Sequence, residues 1–180
     1  MANRYAALLA AVNVGKRKVP MAEVRALLAD LGYSRVQTYL ASGNAVFDAA
    51  QQPEQAAAKI AAALEARFGF AVPTLVRDAA YLEAVIAACP FPADEVEGRH
   101  LHAIFHSAQV EAERFADLDP AAFLPEEFRI GDRVMYLHLP DGMGRSALAV
   151  ALGKPAGRLK GVVATGRNWN TVKALAEMTG

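Results

Sequence analysis

A basic loop near the start of the chain carries side chains suited to binding an anion. Asn13, Gly15, Lys16 and Lys18 lie just before Pro20, which is a favourable first residue of a helix. Lysine ammonium groups attract anions, and the free amides and dipole of a helix N-terminus favour them further. The four-residue spacer of the phosphate-binding loop is missing, so the pattern predicts anion binding without naming a ligand. A solvated basic loop is the alternative.

A second polar group is the turn at Ser42, Gly43 and Asn44. Its hydroxyl and amide groups can donate and accept hydrogen bonds, and would add neutral partners for a ligand. Glycine and asparagine also favour turns for conformational reasons alone, so a purely structural role is the competing interpretation.

A third polar stretch near the end of the chain surrounds the single tryptophan, Trp169. Arg167, Asn168 and Asn170 could line a polar groove and contribute to ligand binding. The alternative is structural: Thr165 or Asn168 caps the last helix and Trp169 anchors it in the core. We expect Trp169 to be the anchor in either case.

Histidines form a further candidate site. Alternation along RHLHAIFH and RVMYLHL, with antiparallel pairing of the two strands, predicts His100 near His138 and His102 near Tyr136 on one sheet face. Such a group could bind zinc or serve in acid–base catalysis. Polar sheet faces commonly carry histidine without a ligand, so no metal and no catalytic residue is assigned.

The elements that position these residues follow one order twice. Strand, helix, strand, strand, helix, strand and an extra helix predict an α+β protein of two tandem ferredoxin-like (βαββαβ) halves, each followed by an extra helix. We expect the first half at residues 1–89, a proline-rich acidic linker at 90–98 and the second half at 99–180.

The predicted strands of the first half are 4–12, 34–41, 45–48 and 70–77, and its helices are 20–31, 53–68 and 78–88. The second half has predicted strands at 99–106, 127–130, 133–139 and 161–164, and helices at 109–117, 143–152 and the C-terminus. In this topology the loop after the first strand and the hairpin after the second lie at the same end of the sheet. Lys16 and Ser42 should therefore lie near each other.

Composition narrows the class of protein. The 180 residues are 54% hydrophobic and 21% charged, as in a globular chain with a sizeable core. No apolar run is long enough to span a bilayer and no secretory signal is visible, so we expect a cytoplasmic protein without a membrane partner. One cysteine, Cys89, excludes an internal disulfide.

Charge is unevenly distributed although the net charge is zero. Residues 1–78 carry 9 basic and 6 acidic side chains, 79–140 carry 4 and 11, and 141–180 carry 6 and 2. The basic ends leave positive surface available for an anion, whereas the acidic middle opposes phosphate binding on the histidine-bearing face.

Three motifs, NVGKRKVPMAEVRALLADLGY, TYLASGNAVF and ATGRNWNTVKALAEM, resemble the bacterial family called domain of unknown function 1697. The resemblance runs from about Tyr5 to Met178. It implies two ferredoxin-like halves and no established activity, cofactor or substrate. Ala10-Ala11 and Ala147 replace an Arg-Gly pair and a lysine that are common in the family, which would weaken anion binding if those cations contribute to it.

The leading hypothesis is a protein that binds a nucleotide or a single-stranded nucleic acid between the Asn13–Lys18 loop and the Ser42–Asn44 turn, without a cofactor. A small enzyme that uses the histidine-bearing face, with or without zinc, is the second. The third is an interaction module whose partner is another protein or a second copy of the chain. No recognisable catalytic motif supports the second hypothesis.

Overall fold

The structure, a computed structural model, describes all 180 residues. It is an α+β protein with two four-stranded antiparallel sheets and five α-helices. No helix has the length and apolar character needed to cross a membrane. The chain divides into two compact units: a first unit of residues 1–83 with 175–180, and a second unit of residues 84–174.

The strands are β1 (Asn3–Leu9), β2 (Ser34–Tyr39), β3 (Asn44–Ala49), β4 (Thr74–Asp78), β5 (Leu101–His106), β6 (Glu127–Gly131), β7 (Val134–His138) and β8 (Ala164–Asn168). The helices are α1 (Met21–Asp30), α2 (Pro53–Phe68), α3 (Ala79–Ala87), α4 (Ala147–Leu152) and α5 (Trp169–Thr179).

The first sheet has the strand order β2-β3-β1-β4. Its central strand β1 is an almost continuous apolar run, RYAALL, because both of its faces are buried. Leu8 of β1 lies opposite Asn44 of β3. This pairing puts the end of β1, and the loop that follows it, beside the turn between β2 and β3.

Helices α1 and α2 provide much of the core on one side of this sheet. Their fully buried side chains recur at helical spacing, Val24 and Leu28 in α1 and Ile60 and Leu64 in α2. Proline at the first position of α2 and Gly69 at its end, with φ +80°, define a helix whose bounds match the prediction.

The second sheet has the order β6-β7-β5-β8. Apolar side chains of β7, including Met135 and Leu137, pack with Leu148 and Leu152 of α4 and with Phe115. The predicted alternation along β7 is confirmed, because Met135 and Leu137 belong to this core.

The predicted helix at 109–117 is wrong. The segment instead forms a short 3-10 turn, Ala112–Phe115, followed by a second one, Pro120–Phe123. The carbonyl of Arg114 accepts a hydrogen bond from the Arg158 guanidinium, and the amide of Leu118 donates to Phe115 rather than to Arg114. The Arg114 amide likewise donates to Glu111, and the Ala116 amide to Glu113, so the segment has the three-residue spacing of a 3-10 helix in place of the four-residue spacing of an α-helix.

Several boundaries also differ from the prediction. Strand β1 ends at Leu9 rather than at residue 12, and β4 begins at Thr74 rather than at residue 70. The strand expected at 161–164 is β8, Ala164–Asn168, and the helix expected at 143–152 is limited to α4, six residues preceded by a 3-10 turn at Met143–Arg145. The side chain of Ser146 accepts a hydrogen bond from the Ala149 amide, and this cap sets the start of α4.

Candidate functional site at the Lys16 loop

The side chain of Asn13 connects the basic loop to the hairpin turn. Its Nδ2 donates to the carbonyl of Val19 at 2.9 Å and to that of Ala41 at 2.6 Å, and its Oδ1 accepts from the Val19 amide at 2.8 Å. The residue itself has φ +56°, a conformation that asparagine tolerates better than most residues. The predicted approach of the loop to the turn is therefore seen, and Asn13 holds the two segments together.

The turn has little conformational freedom at Gly43 and Asn44. Gly43 has φ +97°, and a Cβ there would lie 2.6 Å from the Val12 side chain, so only glycine fits. Asn44 is fully buried, and its Nδ2 donates to the Tyr39 carbonyl and to Ser42 Oγ at 2.8 and 3.1 Å. The polar side chain of the turn that remains on the surface is Ser42.

Two lysines of the loop remain available to a ligand. Lys16 and Lys18 are exposed, and neither forms an ion pair within the chain. Arg17 between them is partly buried: its guanidinium lies 4.8 Å from the centre of the Phe70 ring and donates to the carbonyl of Ala71. Arg17 thus attaches the loop to the body of the first unit, while the two lysines project outward.

Backbone amides of the basic loop add to the positive charge of its two lysines. The N–H groups of Gly15 and Lys16 donate no hydrogen bond within the chain, and Gly15 has φ +57°. Helix α1 begins directly after the loop, and its N-cap, Pro20, provides no side-chain acceptor. Free amides beside ammonium groups are a common arrangement for binding anions.

Arg167 lies inside the second unit. It is 6% exposed, and one of its terminal nitrogens donates to Thr165 Oγ1 and to the Gly166 carbonyl, each at 2.8 Å. Burial lowers the pKa of its guanidinium to about 10. An arginine this buried is poorly placed to line a surface groove, so it does not belong to the site.

The three residues that follow Arg167 use their side chains for contacts with other parts of the protein. Asn168 Oδ1 accepts from the Thr171 amide at 3.0 Å, which is the predicted cap of α5, and Trp169 is 2% exposed with its ring 6.3 Å from that of Tyr136. The Asn170 side chain lies directly against Gly98. The expectation that Trp169 anchors the last helix is confirmed.

The predicted histidine cluster is wrong by one residue in its register. In the structure Leu101 pairs with His138, His102 with Leu137 and Ala103 with Tyr136. His102 therefore faces the same side as Leu137, whereas His138 and Tyr136 face the opposite side.

His100 lies outside β5, in a 3-10 turn. No group of three or more His, Cys, Asp or Glu side chains is placed to hold a metal ion. His102 is 8% exposed and its Nδ1 has no hydrogen-bond partner. Burial, with a smaller contribution from the nearby His100, lowers the pKa of His102 below its ordinary value.

Sequence reasoning missed the roles of Asn13 and Arg17. The sequence pattern predicts that Asn13 contacts a ligand, but all three of its side-chain hydrogen bonds go to the backbone. Arg17 is absent from the predicted site, although it secures the loop against Phe70. Arg17 is more than 50 residues away in sequence from Phe70 and Ala71, so no local sequence pattern could have revealed these contacts.

The family model described as "Protein of unknown function (DUF1697)" matches residues 2–136, three quarters of the chain. The chain belongs to this family. The match includes the Lys16 loop and the Ser42–Asn44 turn, while the closing motif at 164–178 lies beyond it. No curated protein matches the sequence.

The fold is shared over its whole length by a solved structure of another protein. It is the conserved bacterial protein SP0830 from Streptococcus pneumoniae, which is 22% identical in sequence, with a TM-score of 0.77 and 100% coverage of both chains. At this identity the likeness concerns the fold alone.

Proposed function

We propose that this DUF1697 protein binds a phosphate-bearing ligand, a nucleotide or a single-stranded nucleic acid, at the end of the first unit. The site consists of Lys16, Lys18, the amides of Gly15 and Lys16, and the hydroxyl of Ser42. Asn13, Gly43 and Asn44 hold this site in shape rather than contact the ligand.

The observation that carries the proposal is the pair of exposed lysines on a loop that the chain itself holds in place. Asn13 attaches the loop to Ala41, and Arg17 attaches it to Ala71. A loop with this many attachments loses little conformational entropy when it binds, so more of the interaction energy appears as affinity. The nearest acidic residue in sequence, Glu23, is already paired with Arg67.

The chemistry favours an anion over a metal ion, and a phosphate group offers more acceptor oxygens to this site than a carboxylate does. Lysine binds phosphate as a point charge, and free backbone amides add directed hydrogen bonds to the same oxygens. No carboxylate belongs to the site, so a cation would find no ligand there. Ser42 Oγ already accepts a hydrogen bond from Asn44, and its own proton remains available for donation.

Thermal unfolding at low salt tests the proposal against ATP, GTP, short single-stranded RNA and short single-stranded DNA. A ligand at about 100 times its dissociation constant should stabilise the protein by roughly 2.7 kcal/mol. Lys16→Ala/Lys18→Ala should lose this shift. The charge-matched control is Lys160→Ala/Lys173→Ala, which removes two exposed lysines of the second unit and should retain it. Equal shifts in both double variants would refute the site.

We also propose that residues 1–89 and 99–180 are two ferredoxin-like repeats joined by residues 90–98. The equivalent strand orders β2-β3-β1-β4 and β6-β7-β5-β8 support this, as does the recurrence of a capped helix after the last strand of each. Asp78 Oδ1 accepts from the Tyr81 amide at 2.8 Å, just as Asn168 accepts from Thr171. The compact units divide differently, within α3 and α5.

A further inference from the structure

A cavity in the second unit lies between the apolar face of its sheet and α4. It has a volume of about 190 Å³, and Ile104, Met135 and Leu137 of the sheet form its floor. Phe115, Leu152 and Leu159 form its walls. None of these residues belongs to the Lys16 loop or to the first unit.

The cavity exists because short elements cover this face of the sheet. In the first unit α1 and α2, of 10 and 16 residues, cover one face, whereas α4 has six residues and the segment before β6 forms only 3-10 turns. Interiors normally pack with few voids larger than a water molecule. This space is partly open to the surface, so it is a cleft that a small solute can enter rather than a closed packing void.

One wall is secured by Arg158. This residue is 8% exposed, and its guanidinium bonds both oxygens of the Asp117 carboxylate, at 2.6 and 2.8 Å. Its Nε also donates to the carbonyl of Lys154 at 2.7 Å. These bonds hold the segment that carries Leu159 against the turn that carries Phe115, so the cavity is not free to collapse.

We propose that this cavity binds a small uncharged aromatic molecule, in the size range from benzene to indole. An engineered apolar cavity of about 150 Å³ in another protein is known to bind benzene, so the volume here suffices for a single ring and its substituents. The lining has no Lys, Arg, Asp or Glu side chain and a single imidazole, that of His106, so a charged ligand would lose its hydration and gain few polar partners in return.

The lining favours an aromatic ring over an aliphatic chain. Met135 and Met143 both contribute to it, and thioether sulfur makes favourable contacts with aromatic rings. Phe115 and His106 add ring surfaces that can pack edge to face with a bound ring. Met143 is 38% exposed while Met135 is 3% exposed, so we place the entrance at Met143 and the interior at Met135.

Methyl NMR of methionine-labelled protein tests this site with indole, benzene and benzoate as probes. Indole and benzene should shift the Met135 and Met143 methyl signals saturably and leave those of Met21 and Met178 unchanged. Benzoate, which has a similar ring and a negative charge, should bind roughly tenfold more weakly or worse.

Ala149→Leu and Ala151→Leu form a matched pair on α4. Ala149 lines the cavity and Ala151 does not, so the first change should weaken indole binding by roughly tenfold or more and the second should leave it unchanged. Intermolecular NOEs from indole to the Met135 methyl in the unmodified protein locate the ligand independently of either variant. Absence of saturable shifts, equal binding by the two variants, or benzoate binding as well as indole would overturn the proposal.

Discussion

Replacing Asn13 should destabilise the protein because its side chain makes three hydrogen bonds to the backbone. Such bonds contribute about 0.5–1.5 kcal/mol each, and leaving a buried donor unsatisfied costs about 1–3 kcal/mol. Val19 is fully buried, so its amide would be left without Asn13 Oδ1, whereas the exposed Ala41 carbonyl would recover a bond to water. We therefore expect Asn13→Gly to lower the free energy of unfolding by about 2–3 kcal/mol.

Asn13→Ala should be worse than Asn13→Gly, although both remove the same hydrogen bonds. The backbone φ of +56° is unfavourable for alanine by roughly 1–2 kcal/mol, so the total loss should approach about 4 kcal/mol. The two variants thus separate the contribution of the side-chain bonds from that of the backbone conformation.

Urea unfolding, followed by far-UV circular dichroism, measures both variants against the unmodified protein. The denaturant slope should stay constant, because the surface exposed on unfolding hardly changes. A loss below about 0.5 kcal/mol for Asn13→Gly would refute the role of Asn13 as the connection between loop and turn. So would equal stabilities of the glycine and alanine variants.

Two further predictions concern Gly43 and His102. Gly43→Ala should destabilise by about 1–3 kcal/mol, because its Cβ would lie 2.6 Å from a Val12 atom, whereas Gly69→Ala, also at positive φ but in open space, should cost less in the same urea assay. His102 has a lowered pKa when folded, so below about pH 6.5 the unfolded chain takes up the proton first and stability falls. His102→Leu should show a smaller fall in thermal midpoint between pH 7 and pH 5, and an unchanged fall would contradict this.

Local chemistry explains which elements could be predicted from sequence. Pro53 and Gly69 mark the start and the end of α2, as predicted. Trp169 is buried at the start of the last helix, also as predicted. The helix expected at 109–117 is replaced by 3-10 turns, and the Arg114 carbonyl there accepts a bond from Arg158, more than 40 residues away. No short-range pattern contains that information.

The predicted pairing of the two histidine-bearing strands, β5 and β7, was wrong for a different reason. Strand β5 is buried on both faces, so its alternation does not determine which residue of β7 lies opposite His102. The approach of the Lys16 loop to the hairpin turn was predicted more successfully, because topology alone brings the two segments to one end of the sheet. The Asn13 side chain bonds to the backbone of Val19 and Ala41, and this contact depends on its positive φ, which only the structure shows.

The salt dependence of ligand binding tests the central claim most directly. Fluorescence anisotropy would follow labelled ATP and a labelled single-stranded RNA across a series of salt concentrations, for the unmodified protein, Lys16→Ala/Lys18→Ala and Lys160→Ala/Lys173→Ala. We expect the unmodified protein to bind at least one ligand saturably. For RNA, the slope of log affinity against log salt should be less steep in the loop variant than in the unmodified protein, by about 0.7 for each phosphate that the variant no longer neutralises. Absence of binding by both ligands at low salt, or a slope and affinity that the loop variant leaves unchanged, would contradict the account.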